Sequence, residues 1–261
     1  MKNKKLEINL ARENSLIGAW TNLNSPVVCE IIGSLDFDWI LIDAEHGPNS
    51  VPSVLTQLQA IAPYTTVPVV RIPNHDVSLI KRYLDIGATN LLVPFVDSAK
   101  QAATIIQATR YPPQGIRGVG AGLARASRWG TNQKYLDEAN TQIRLIAQIE
   151  SQEGLSNLEE IASLKEIDAL FFGPADIAAS MGKLGKPGDP DVKDAILNGI
   201  QRASALGKTT GIFSNDRKFI KDCELSGCRL IGATSDINLL VSGGKSILES
   251  YRSSEQKNRS S

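Results

Sequence analysis

The sequence is poor in the residues and motifs that mark many specialised chains. It holds three cysteines, two histidines and two methionines in 261 residues. Cys29 stands alone, and Cys223 and Cys228 lie five apart with no second cysteine pair or histidine beside them. That spacing supports neither a disulfide framework nor a zinc site, so all three are expected as free thiols. Lysine plus arginine and aspartate plus glutamate each number 28; with no net charge to attract a polyanion, nucleic acid is not expected as a partner. No stretch approaches the roughly 20 apolar residues of a membrane span, and the basic start MKNKKLEINL lacks the apolar run of a signal peptide. A cytoplasmic protein with no membrane partner is the expectation. There is no G-x-S-x-G and no H-E-x-x-H, which leaves serine hydrolysis and zinc peptidase chemistry without support.

The chain does have regular alternation. At 42% hydrophobic and 21% charged it is a globular sequence with enough apolar residues for one large core. Short runs rich in apolar and β-branched residues, LIGAW (16–20), WILID (39–43), PVVRI (68–72), TNLLVP (89–94), IRLIAQIE (143–150), DALFFGP (168–174), KTTGIF (208–213) and RLIGAT (229–234), are each followed by a helical pattern. Ser25-Pro26 supplies an N-cap and a first-turn proline, and Val28, Ile31, Ile32 and Leu35 then recur at the spacing of one helix face. Eight strand-helix units with strands apolar on both faces predict a single (β/α)₈ TIM barrel of class α/β, with an open doubly wound sheet as the competing architecture. One domain over 1–261 is expected, with polar tails at about 1–13 and 253–261. The one long interruption, about 110–140, is rich in glycine, arginine and proline.

In such a barrel the site stands at the carboxyl ends of the strands. There the sequence places Asp43, Glu45 and His46 after the second run, Arg71 in the third, Gln148 and Glu150 at the end of the fifth, and Asp176 just after the sixth. Polar groups directly after apolar runs need partners, a metal or a substrate to offset desolvation. Two carboxylates from separate strands, Glu150 and Asp176, suit a hard divalent cation such as Mg²⁺ or Mn²⁺, although Asp176 serves equally well as a helix cap. The N–H groups of Ala175 and Asp176 at a helix start suit a substrate carboxylate. Arg71 is a permanent cation for a developing oxyanion. His46 is the natural proton carrier, and a helical carboxylate such as Asp85 could orient it. His75, in PNHDV, reads as a turn or surface residue. No candidate strand ends in a lysine, which disfavours Schiff-base chemistry.

DWILIDAEHGPN, LQAIAPY followed by VPVVRI, ATRYPPQGIRGVGAGLARASRWG, and QIES paired with FFGPADIAASMG resemble the HpcH/HpaI family of metal-dependent 2-oxo acid aldolases, over nearly the whole chain from about Gly18 to Leu240. The resemblance implies a (β/α)₈ barrel, usually hexameric, that binds pyruvate on Mg²⁺, Mn²⁺ or Co²⁺ and joins or releases an aldehyde. Position by position it makes His46 the base, Asp85 the residue that raises its basicity and Arg71 the transition-state stabiliser. Glu150 and Asp176 become the metal ligands, and Gln148, Ala175 and Asp176 the substrate contacts. It also brings Arg117, Arg125 and Arg128 of the interruption toward an anionic aldehyde, against a solvated or interfacial basic loop as the plainer reading. The implied reaction is reversible cleavage of a 4-hydroxy-2-oxo acid to pyruvate and an aldehyde. Oxaloacetate decarboxylation, ester or thioester lyase chemistry, and a non-catalytic barrel are the alternatives. Departures from the family pattern fall at Phe213-Ser-Asn and at Gly-Ala-Thr-Ser-Asp (232–236), on the rim that would face the aldehyde.

Overall fold

The structure, a computed structural model, describes Leu6 and residues 14–259, with side chains described to residue 253. Eight strands pair in parallel in chain order: β1 (Leu16–Thr21), β2 (Trp39–Asp43), β3 (Val67–Arg71), β4 (Asn90–Val93), β5 (Arg144–Ile149), β6 (Ala169–Phe172), β7 (Thr209–Phe213) and β8 (Leu230–Ser235). β8 returns to pair with β1, so the sheet is a closed barrel and the open alternative is excluded. Every strand lies within two residues of its expected place.

The helices are α1 (Pro26–Gly33), α2 (Val51–Ala60), α3 (Val77–Asp85), α4 (Ala99–Thr109), α5 (Tyr135–Gln142), α6 (Gln152–Ser156), α7 (Leu158–Ser163), α8 (Pro174–Ser180), α9 (Pro190–Ala205), α10 (Arg217–Leu225) and α11 (Asp236–Arg259). Their starts follow from side chains that satisfy otherwise unpaired first-turn amides. Ser25 Oγ accepts from Val28 N at 3.3 Å ahead of Pro26, as the sequence predicts. Asp76 accepts from Leu79 N at 2.8 Å at the head of α3.

The period of two along each strand divides the core. Ile40, Ile42, Val70, Leu91, Val93, Leu145, Phe172, Ile212 and Ile231 belong to the outer layer, shared with helix residues such as Val54, Leu58, Ile80 and Ile196. Leu41, Val69, Leu92, Ile146, Ala169, Phe171 and Leu230 fill the barrel with Trp20 and Trp39. Trp39 fits because residue 18 is glycine: a Cβ there would stand 2.1 Å from the indole. Removing one such side chain, as in Leu41→Ala, costs about 2–5 kcal/mol.

Of the expected amino-terminal tail, 1–13, all but Leu6 lies outside the described residues. Leu6 is buried against the inner core, with its N–H donating to Asn90 Oδ1 at 2.9 Å. At the other end, helix α11 continues to Arg259, through most of the stretch expected as a tail. The 110–140 interruption is also folded rather than a solvated loop. Tyr111, Ala121, Ala126, Tyr135 and Ala139 form a small apolar cluster. Arg117 is buried against it, its guanidinium 4.4 Å from the Tyr111 ring centroid and Nη2 2.7 Å from Asp85 Oδ1. Cys29, Cys223 and Cys228 are buried and free, as expected.

Candidate active site

The inner-face alternation that buries Leu41 and Val69 delivers Asp43 and Arg71 two residues further on, and the β2–β3 register sets them side by side. Arg71 Nε donates to Asp43 Oδ1 at 2.9 Å and Nη2 to Asp43 Oδ2 at 2.7 Å, while Nη1 stands 2.9 Å from Glu45 Oε2. Asp43 also accepts from Trp20 Nε1, Asn22 Nδ2 and the N–H groups of Glu45 and His46. Burial pushes the Asp43 carboxyl up, but the Arg71 guanidinium and these N–H donors outweigh it and hold the group below the usual carboxylate range. For Arg71 burial disfavours the cation, yet Asp43 and Glu45 outweigh that and raise it further. Asp43 is thus fully occupied in fixing the arginine plane, and only the outer N–H edge of that fork is left for a ligand.

The same alternation on β5 brings Gln148 inward and Glu150 after it. Glu150 is wholly buried: Oε1 accepts from Phe95 N at 2.8 Å and Oε2 from Gln148 Nε2 at 2.5 Å. Gly173, at the end of β6, leaves room for it, since a Cβ there would lie 2.6 Å from Glu150 Oε2. Burial raises the Glu150 carboxyl to about 8; the Phe95 N–H opposes this, and the charges of Glu45 and Asp176 add to it. Glu45 is likewise raised, mainly by burial and against the pull of Arg71.

Glu150, raised by burial and by the neighbouring Glu45 and Asp176 charges, and Asp176 after β6 are hard oxygen donors from separate strands. Glu150 and Asp176 therefore fit a divalent cation. Among the described residues no group of three or more histidine, cysteine, aspartate or glutamate side chains is arranged to hold a metal. Two carboxylates completed by water and substrate is the arrangement that hard cations such as Mg²⁺ accept.

A cleft of about 590 Å³ at the carboxyl rim is lined by Asp43, His46, Arg71, Gln148, Ala175 and Asp176 among others, and Glu150 is buried beside its Gln148 and Gly173. The size falls in the range of small-molecule sites. Gln148 Oε1 is buried without a hydrogen-bond partner. The His46 side chain is 64% exposed at the mouth, with Nε2 3.9 Å from Glu45 Oε1.

The structure does not bring Asp85 to His46 within the chain. Helix α3 runs back from the carboxyl rim, so Asp85 at its end lies toward the opposite rim, where it pairs with Arg117. Arg117 is spent on that pair and Arg125 Nη1 donates to Ile86 O, so neither reaches the cleft in this chain. His75 is half-buried between Pro94 O and Gln101, a structural pairing consistent with its reading as a turn residue.

Sequence reasoning named the β7 and β8 exits of the far wall, Phe213 to Asn215 and residues 232–236, and missed the rest of it. Trp20 and Asn22 come from β1 and its exit, and Ile237 and Asn238 from the first turn of α11. The signal was Thr21 and Asn22, polar residues directly after the apolar run of β1.

The family model described as HpcH/HpaI aldolase/citrate lyase matches residues 16–241. The chain is 47% identical over 243 residues to a hydroxypyruvate/pyruvate aldolase of Deinococcus radiodurans, covering 93% of this chain and 88% of the relative. It is 45% identical over 231 residues to a 4-hydroxy-2-oxo-heptane-1,7-dioate aldolase of Klebsiella pneumoniae, covering 88% and 87%. A crystal structure of a HpcH/HpaI aldolase/citrate lyase family protein from Burkholderia cenocepacia J2315 superposes with a TM-score of 0.89 at 37% identity, covering 93% of this chain and 96% of that one.

Proposed function

This chain belongs to the HpcH/HpaI aldolase/citrate lyase family, and from that premise we propose that it is an aldolase that reversibly cleaves a 4-hydroxy-2-oxo acid to pyruvate and an aldehyde. The observation that carries the reading is one rim on which a fixed guanidinium, the Asp176 carboxylate and an accessible imidazole face the same cleft, with the buried Glu150 carboxylate beside the cleft residues Gln148 and Gly173. Glu150 and Asp176 would hold a divalent cation, Mg²⁺, Mn²⁺ or Co²⁺, which when bound would supply Lewis-acid polarisation of the 2-oxo acid.

The chain's own residues do the rest. The N–H groups of Ala175 and Asp176 receive the substrate carboxylate. Gln148, anchored on Glu150 through Nε2, offers Oε1 to a donor of the ligand or its water. In the cleavage direction His46 takes the proton of the 4-hydroxyl as the C3–C4 bond breaks. Arg71 stabilises the charge that develops on the 2-oxo oxygen; because Asp43 and Glu45 hold its plane beforehand, little reorganisation accompanies the reaction.

The reading includes a cytoplasmic homo-oligomer, a hexamer. Leu240, Val241, Ile247, Leu248 and Tyr251 of α11 and Val27 and Ile31 of α1 are exposed apolar side chains that association would cover. Asp85 acts on His46, in this reading, across a contact between copies. A coupled pyruvate-release assay over a panel of 4-hydroxy-2-oxo acids, run with Mg²⁺, Mn²⁺ and Co²⁺, tests the function. Release that requires the cation is expected; undiminished release in excess chelator would contradict it.

A further inference from the structure

Resting on the aldolase reading, we propose that His75 is a positioning residue of the active site: it holds the Pro94–Phe95 peptide plane, and that plane orients the Glu150 carboxylate. His75 stands in the loop between β3 and α3, outside the lining of the cleft. Its Nε2–H donates to Pro94 O, in the loop between β4 and α4. Pro94 O and Phe95 N belong to one planar trans peptide, so the carbonyl and the N–H point in opposite directions and cannot turn independently. The N–H edge of that peptide meets Glu150 Oε1 at 2.8 Å. An imidazole on one edge thus sets the donor on the other.

The tautomer this needs is fixed by a neighbour. Gln101, in the first turn of α4, accepts the Asp97 N–H on Oε1 at 2.8 Å, which leaves its Nε2 to donate to His75 Nδ1 at 2.7 Å. Nδ1 is therefore the acceptor, and the ring proton sits on Nε2, facing Pro94 O. The loop requires such a hold. Phe95 has a φ of 47°, a left-handed conformation that costs a non-glycine residue strain, and its 40% exposure means that burial alone does not keep it there. Three consecutive amides of the loop are instead each bound: Phe95 N to Glu150, Val96 N to Gln148 O at 3.0 Å and Asp97 N to Gln101. The other donor to Glu150, Gln148 Nε2, is a side-chain amide with rotatable bonds, so the backbone N–H is the fixed reference for the carboxylate. Glu150 is wholly buried, and bulk water does not replace that N–H if the peptide turns away.

The test compares the full-length enzyme with His75→Phe, which keeps a flat ring but neither hydrogen bond, and His75→Gln, which keeps a side-chain N–H for Pro94 O. Hydrogen–deuterium exchange of segment 94–98 is followed by mass spectrometry in the metal-free protein, and Mn²⁺ affinity by calorimetric titration. In H75F the segment should exchange about tenfold faster or more. Mn²⁺ should bind it about tenfold more weakly, because groups that hold a metal ligand in place commonly carry on the order of 10–100-fold in affinity. H75Q should recover most of both. Unaltered exchange or unaltered Mn²⁺ affinity in H75F overturns the proposal, and so does a loss in H75Q as large as in H75F, which marks loop packing alone. If H75F does not fold, Gln101→Leu, which leaves the imidazole but frees its tautomer, decides: a severalfold loss of Mn²⁺ affinity supports the proposal and an unchanged affinity overturns it. Absence of pyruvate methyl exchange in the unaltered, Mn²⁺-loaded enzyme would instead remove the aldolase reading, while exchange of segment 94–98, measured without metal or substrate, still reports on His75.

Discussion

The two sides of the cleft are built on the same barrel and differ in what their side chains already do. On the side of β2, β3, β5 and β6 the charged groups are bound to one another before any ligand arrives: Arg71 to Asp43 and Glu45, Glu150 to Gln148 and Phe95 N. On the side of β7, β8 and α11 the groups lining the cleft are neutral and retain unused hydrogen-bonding capacity. The difference teaches a division of labour. A preorganised charged face stabilises a transition state, because its dipoles do not have to turn during reaction. A neutral, solvent-exposed face is bound to nothing in advance and can adjust its hydrogen bonds to the ligand that enters.

The comparison breaks most severely at Glu150. Glu150→Gln keeps the shape and the Phe95 N–H contact but removes the charge, and turnover should fall on the order of a thousandfold together with metal affinity. Calorimetric titration with Mn²⁺ checks the second half; full-strength binding would show that Glu150 is no ligand.

Next comes Arg71. Arg71→Ala leaves Asp43, which is fully buried, with an uncompensated charge, so it should cost about 3–5 kcal/mol of stability in addition to roughly a hundredfold or more in kcat. Denaturant unfolding alongside kinetics separates the two losses. Arg71→Lys should recover part of the stability and little of the rate, because an ammonium cannot make the bidentate contact with Asp43.

The charged side also predicts a pH dependence that the neutral side lacks. The folded metal-free protein holds the Glu150 proton up to about 8, against an ordinary value of 4.5. Between those values the folded state binds a proton that the unfolded state has lost, so stability falls as pH rises through the window. Metal has to displace that proton, so its apparent affinity should climb about tenfold per pH unit up to the same limit. Thermal unfolding from pH 5 to pH 8, with and without Mn²⁺, should show the decline only without metal, and E150Q should flatten it.

The smallest effect is expected at the seam between the two sides. Asn22 lines the cleft and donates to Asp43 Oδ2 at 2.8 Å. Asp43 keeps its other donors in Asn22→Ala, so the variant should lose about 1–2 kcal/mol of stability and less than tenfold in kcat. A larger loss in kcat would mean that the sides are coupled more tightly than their separate bonding suggests.

The barrel was legible because buried parallel strands must be apolar on both faces, and WILID carries that pattern over the whole of β2, residues 39–43. The reactive side was legible for a related reason: Asp43, Arg71, Gln148 and Glu150 each follow an apolar run by a step that the strand period turns inward. What escaped had no local pattern. Leu6 sits in a polar stretch, and only the closed barrel gives it a core to enter. Arg117 looked like one more cation in a basic loop, but its burial depends on Tyr111, Tyr135 and Asp85, which are distant in sequence or set by the interruption's own fold. Asp85 is the instructive case. Both the reading of the residues and the family resemblance placed it at His46, while the direction of α3 carries it to the other rim within the chain, where it pairs with Arg117.

The central claim is that the charged side by itself generates the pyruvate enolate, before any aldehyde binds. Exchange of the pyruvate methyl hydrogens for deuterium, followed by proton NMR in D₂O without an aldehyde, tests it most directly. The account predicts exchange that requires a divalent cation and is lost in Glu150→Gln and in Arg71→Ala. Exchange that persists in both variants or in excess chelator, or its absence in the folded, metal-loaded enzyme, would contradict it.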